Sequence, residues 1–310
     1  MSKPSGKRVV NAAILANAAI AVAKFIVAAV SGSSALLSEG IHSTVDTFNE
    51  CLLLLGIRRS KLGADEQHPF GHGKEIFFWG LMVAVLLFGI GGGMAIYEGI
   101  THLMHPRPAA DIAWMYVVLA VAAAFEGYSF TVALRTLHAQ QESGGPDVSW
   151  WRRVRRSKDP SVFTVFVEDL AALTGIFFAL LGVTLGALLH DPFFDGAASL
   201  LIGATLTTAA LVLAHESRKL LIGESAPADV VRSIREVVEG ERAVCAAEPP
   251  LTMQLGPNQI LVNVDLQLRP GLSGEEQVET LARIERGIRA RHPQAMRVSL
   301  QPRRWIEETT

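Results

Sequence analysis

Residues 76–100 read IFFWGLMVAVLLFGIGGGMAIYEGI, and Glu98 is the one charged side chain in the run. A helix of this length is long enough to cross a hydrocarbon core of ~30 Å. The segment therefore reads as a membrane span. Working outward from it, apolar runs at about 9–30, 33–56, 112–137, 161–189 and 194–214 bring the expected number of spans to six. Half of the residues are hydrophobic, 19% are charged, and mean hydropathy is +0.31, with the apolar share concentrated before residue 215. A soluble helical core hides one or two such segments, not six in series.

Lysine and arginine fall on one side of these spans. Lys3, Lys7 and Arg8 precede the first, and Arg58, Arg59 and Lys61 follow the second. Arg152, Arg153, Arg155, Arg156 and Lys158 lie between the fourth and fifth, and Arg218 and Lys219 follow the sixth. The opposite loops contain only Arg107, so both termini are expected on the cytoplasmic side. Met1–Arg8 is polar and the long apolar run behind it lacks a cleavage pattern, which argues against a signal peptide. A net charge of −2 without a basic surface gives no case for nucleic acid. Cys51 and Cys245 are too few and too far apart for a disulfide framework or a thiolate metal site.

The second span is the weakest by hydropathy because it carries the run Ser38-Glu39-Gly40-Ile41-His42-Ser43-Thr44-Val45-Asp46-Thr47-Phe48-Asn49-Glu50. Glu39, His42, Ser43, Asp46 and Glu50 share one helix face. Ionisable groups at membrane depth are costly unless something offsets them, and His with Asp is a good ligand pair for a first-row metal. The stripe points to a cation path. Glu126 in the fourth span reads equally as an interhelical hydrogen bond. In the fifth, Glu168 and Asp169 project ~100° apart, so one is read as a ligand and the other as a pairing or proton-handling group. Between spans two and three, Asp65, His68 and His72 have the spacing for three ligands of a zinc-like ion. A solvated loop with a Pro–Gly turn, its histidines capping the next helix, fits that spacing as well.

From residue 216 the chain changes character. Asp229–Val238 reads as an amphipathic helix, Leu251–Leu255 and residues 260–268 as paired strands, and Ser273-Gly274-Glu275-Glu276 as a capping box opening a helix to about Arg291. Val298–Gln301 closes a small α+β domain. The expected organisation is a six-helix, all-α membrane domain over 1–215 and a soluble α+β domain of ferredoxin or metallochaperone-like type over 216–310.

Taken together, His42-Ser43-x-x-Asp46, His68-Pro69-Phe70-Gly71-His72-Gly73-Lys74, Tyr97-Glu98-Gly99 and the α+β tail resemble the cation diffusion facilitators. Glu126-Gly127, Asp159-Pro160-Ser161 and Glu168-Asp169-x-Ala171-Ala172 are similar to their zinc-transporter-9-like branch. The resemblance implies a homodimeric, proton-coupled exporter of divalent metal working by alternating access. It implies a transport site with His42 and Asp46 from span 2 and Asp169 from span 5. The family's usual His or Asp four residues before that acid is Val165 here, which makes Glu168 the leading fourth ligand. It also assigns Asp65, His68 and His72 to a loop-bound ion, and it gives the histidine-poor tail a dimerisation role. Zn²⁺ is then substrate rather than prosthetic group, and the expected location is a bacterial cell (inner) membrane. An exporter of Mn²⁺, Fe²⁺ or Co²⁺ with the same fold, or a non-transporting metal sensor, are the competing readings. An enzyme is not expected, because His215-Glu216 lacks the second histidine of a His-Glu-x-x-His site and no Gly-x-Ser-x-Gly elbow occurs.

Overall fold

The computed structural model describes residues 6–106, 112–139 and 160–303; the polar stretch Gln140–Asp159, with its basic cluster, and Arg107 lie outside them. Two compact units emerge, Met1–Arg59 with Glu75–Arg218 and Ser60–Lys74 with Lys219–Thr310. The connecting loop Ser60–Lys74 thus groups with the C-terminal residues rather than with the helices it joins.

The first unit is helical: α1 (Gly6–Ser31), α2 (Ser34–Arg59), α3 (Glu75–Leu86), a π-helical turn (Leu87–Gly92), α4 (Gly93–Met104), α5 (Ile112–Ala139), α6 (Pro160–Leu189) and α7 (Phe193–Ile222). Among the described residues, four helical stretches are long and apolar enough to cross a membrane: Glu75–Met104, Ile112–Arg135, Phe163–Leu189 and Phe193–Ile222. The apolar part of α1 is shorter, Asn17–Ser31. The low hydropathy of α2 has a structural cause. It packs against α1, α3, α4 and α6, so its buried set includes Ser38, Glu39, His42, Ser43 and Asn49. A helix enclosed by protein does not need an apolar coat. Helix α7 runs to Ile222, past the expected 214, with Lys219 in its last turn where a cation suits the helix dipole. Hydropathy marks the end of an apolar run, not the end of a helix.

Small residues set how closely two of these helices approach. A Cβ on Gly92 would meet Thr207, one on Gly99 would meet Leu200, and one on Gly203 would meet Ile96, each within 3.0 Å. The π-turn and α4 therefore lie against α7 almost backbone to backbone, the packing that small residues permit in apolar surroundings. Of the glycines within residues 89–93, Gly92 makes this approach, while Gly89 faces open space. At the other end of α2, Asp195 from the first turn of α7 accepts the Ser34 N–H at 2.6 Å and the Ser34 hydroxyl at 2.9 Å. Ser33 Oγ also donates to it, and Ser33 Oγ in turn accepts the Leu36 N–H at 3.2 Å. The first turn of α2 is capped by its own serine and by a carboxylate from another helix.

The second unit follows the order α8 (Ala228–Glu239), β1 (Val244–Ala247), β2 (Leu251–Gly256), β3 (Gln259–Leu268), α9 (Gly274–Arg291), β4 (Ala295–Pro302). Strand β3 pairs antiparallel with β1 and β2 and parallel with β4, in register Thr252↔Val262 and Val262↔Val298. Ile260, Val262, Val264 and Leu266 alternate inward from β3 against Ile234 and Val238 of α8 and Ile284 and Ile288 of α9. Each such side chain contributes about 1.5–3 kcal/mol on burial. The capping box at α9 is formed in both directions between Ser273 and Glu276. Strand β1 was not expected; Val-Cys-Ala-Ala is too short to show alternation. Within this unit the loop is fixed by Lys74 Nζ donating to the Leu221 carbonyl at 3.4 Å, and by Gly73, where a Cβ would run into the Leu255 carbonyl.

Candidate metal centre

Helix α2 aims its polar stripe at α1 and α6. His42 is fully buried, with its Nε2 3.4 Å from Asp46 Oδ2, a contact that lacks hydrogen-bond alignment. Neither imidazole nitrogen has a hydrogen-bond partner, and Asp46 Oδ1 has none either. Two turns along, Asn49 Nδ2 donates to Glu168 Oε1 at 2.5 Å, and Asn17 Nδ2 of α1 donates to Glu50 Oε1 at 2.8 Å. On α6, Asp169 is held by a hydrogen bond from Ser129 of α5 and keeps Oδ2 buried and unpartnered. Glu168, Glu126 and Asp169 all act electrostatically on Asp46. Histidine and carboxylates with bare lone pairs in a buried site can bind a divalent cation, and a polar site of this kind is expensive to keep for packing alone.

His42 and Asp46 from α2 thus face the α6 pair Glu168 and Asp169, but the four are not drawn into one tight shell. Among the described residues, only Asp65, His68 and His72 have ligand atoms all within 4.8 Å of one another. In that loop His68 Nδ1 lies 3.1 Å and His72 Nε2 3.5 Å from Asp65. His72 Nδ1 donates to the Gly63 carbonyl at 3.1 Å, which fixes the tautomer and leaves Nε2 free as a ligand. The backbone N–H of His68 donating to Asp65 holds that carboxyl below its usual range, with further help from the His68 side chain and the Gln67 N–H. An ionised Asp65 beside two imidazoles fits a Zn²⁺-like ion. The same hydrogen bonds also make Asp65 a turn-capping residue.

Sequence reading passed over three participants. Lys24 of α1 is fully buried beside Glu39; Asn49 engages Glu168; Asp195 holds the start of α2. A lone cation inside an apolar run was the available signal for Lys24. His102 is also buried, with Nε2 3.7 Å from Asp195.

Residues 10–222 match the family model described as the cation efflux transmembrane domain. The chain belongs to the cation efflux family. Among the family's curated members, the Xenopus laevis protein named "Proton-coupled zinc antiporter SLC30A9, mitochondrial" is 32% identical over 82% of this chain and 45% of its own length. Its Homo sapiens counterpart is 31% identical over 82% of this chain and 44% of its own length. The "Cation-efflux pump FieF" of Klebsiella pneumoniae is 26% identical over 94% of this chain and 92% of its own. The chain spans less than half the length of the two zinc antiporters. Membership in the cation efflux family makes this a multi-pass membrane transporter family member and not an enzyme. One expectation is corrected. The location in a bacterial cell (inner) membrane with cytoplasmic termini is overturned by relatives named as mitochondrial proteins. Charge asymmetry in loops reports orientation and carries no mark of which membrane is crossed.

Proposed function

We propose that this chain moves a divalent transition-metal cation, Zn²⁺ foremost, across the membrane in exchange for protons by alternating access. In this reading α1 and α2 complete a bundle of six membrane helices. The cation is held by His42 and Asp46 of α2 and Asp169 of α6, with Glu168 beside them. The observation that carries the reading is the fully buried His42, both nitrogens without a hydrogen bond, next to Asp46 and facing two acids of another helix. Ligands bind metal in their deprotonated forms, so cation and protons compete for one site, and that competition couples their movements. An imidazole in the set favours Zn²⁺, Co²⁺ or Fe²⁺ over Mg²⁺ and Ca²⁺. Asp65, His68 and His72 would hold a further ion that organises the loop, and the α+β domain joins two copies into a homodimer.

The test is zinc flux driven by a pH gradient in proteoliposomes of the purified chain. Wild type is expected to carry Zn²⁺ with opposite proton movement, and His42→Ala with Asp46→Ala to abolish both. Wild-type flux retained in the double variant would remove the site from consideration; zinc bound without flux in wild type would favour a sensor.

A further inference from the structure

One buried ion pair borders the site just described but lies outside its proposed ligand set of His42, Asp46, Asp169 and Glu168. Lys24 on α1 is fully buried, and its Nζ donates to Glu39 Oε2 at 2.9 Å and to Ser43 Oγ at 2.7 Å. Glu39 is equally buried, and its second oxygen, Oε1, has no hydrogen-bond partner. That oxygen points at α6, where a Cβ on Gly175 would run into it. Glu39 precedes His42 by about one helical turn, and Gly175 follows Asp169 by nearly two, both toward the Ser34 end of α2. The carboxylate therefore stands in the same α2–α6 seam as His42 and Asp46, one step nearer that end. Beyond it the polar series goes on through Ser38, 2.8 Å from Ser199 of α7, to Ser34 and Asp195.

Resting on the transport reading above, we propose that Glu39 is a second cation station on the path and that Lys24 is its tethered occupant. The ammonium neutralises Glu39 when no metal is there. A cation moving from His42 and Asp46 toward the Ser34 end exchanges with the ammonium at the carboxylate and is then released, because Lys24 returns to displace it. An ammonium on a flexible four-carbon stem suits this; it is a mobile point charge with three donors. Breaking a buried pair by removing one member leaves an uncompensated charge. With Lys24 gone, Glu39 attracts the cation with nothing to evict it. Lys24 is in this sense a positioning residue, acting on the cation through Glu39.

The experiment compares zinc flux and equilibrium zinc binding for wild type, Lys24→Met, and the combined Lys24→Met and Glu39→Gln variant. A unit charge about 10 Å from a divalent cation at an effective dielectric of about 20 is worth on the order of a hundredfold in affinity. Lys24→Met is therefore expected to bind zinc on the order of a hundredfold more tightly, lowering KM together with kcat. The combined variant carries no net charge change and keeps similar shapes, so it is expected to fold with wild-type KM and a reduced kcat, since the station is missing. A Lys24→Met protein with unchanged KM overturns the proposal, because a merely structural lysine would lower the amount or rate of active protein without tightening binding. Should Lys24→Met fail to fold, a wild-type kcat in the combined variant overturns it instead. Absence of any flux in wild type defeats the transport reading itself and is distinguished from both results.

Discussion

Glu168 and Asp169 are neighbours in the chain yet meet different partners. Asn49 donates to the first and Ser129 to the second, whose Oδ2 stays bare. A cation can take the free oxygen of Asp169 at no loss, whereas drawing in the Asn49-bound oxygen of Glu168 gives up a buried hydrogen bond, about 0.5–1.5 kcal/mol. The side-by-side spacing was legible in sequence; the choice between the two was not, because it depends on a residue 119 positions away. A single titratable group in the second unit gives a separate prediction. Burial, and then the Arg291 guanidinium, hold the His292 imidazole below its usual 6.5, against the opposing pull of Asp229, while its Nε2 sits 2.9 Å from Ser233. The folded state thus favours neutral His292. Its contribution is present above pH 6.5 and is lost as pH falls through the lowered value. Amide exchange at the end of α9, corrected for intrinsic rates, is expected to quicken as pH is taken from about 7 to about 5, and His292→Gln to flatten that dependence.

Among the elements, the four apolar helices were readable because lipid-facing length and composition are averaged over many residues. Helix α2 was the weakest by the same measure, and it proves to be the one surrounded by other helices. Its polarity was a sign of enclosure. Lys24 escaped notice for the reverse reason, since one cation vanishes in the average over an apolar run. The glycines within residues 89–93 are plain in the sequence, but which of them meets another helix depends on the π-turn, which shifts the register of α4 against α3. Gly92→Leu is expected to force apart the contact with Thr207 and Gly203, destabilising the helical unit by at least the ~1–3 kcal/mol typical of overpacking. Thermal unfolding of the detergent-solubilised protein reads this. Gly89→Leu, facing open space, is expected to leave the transition in place.

For the whole molecule, sequence adjacency gave no hint that Ser60–Lys74 belongs with the C-terminal residues. The loop carrying Asp65, His68 and His72 joins that unit through backbone contacts at Gly73 and Leu255, which no composition or spacing rule records. If the α+β domain holds two copies together, a chain ending at residue 222 is expected to run as a monomer in detergent by light scattering, while the full chain runs as a dimer. A truncated dimer would move the interface into the helices. The grip of Asp195 on α2 has a mechanical meaning as well. One end of that helix is clamped through Ser33 and Ser34, whereas the far half is held by single bonds, Asn49 to Glu168 and Asn17 to Glu50, and by the partly exposed Arg59–Glu75 pair at 3.8 Å, which adds little. A rod clamped at one end and held elsewhere by exchangeable bonds pivots about the clamp. On the transport reading, opening the path is expected to turn α2 about its Asp195 end and to break the bonds at Asn49 and Glu50 first.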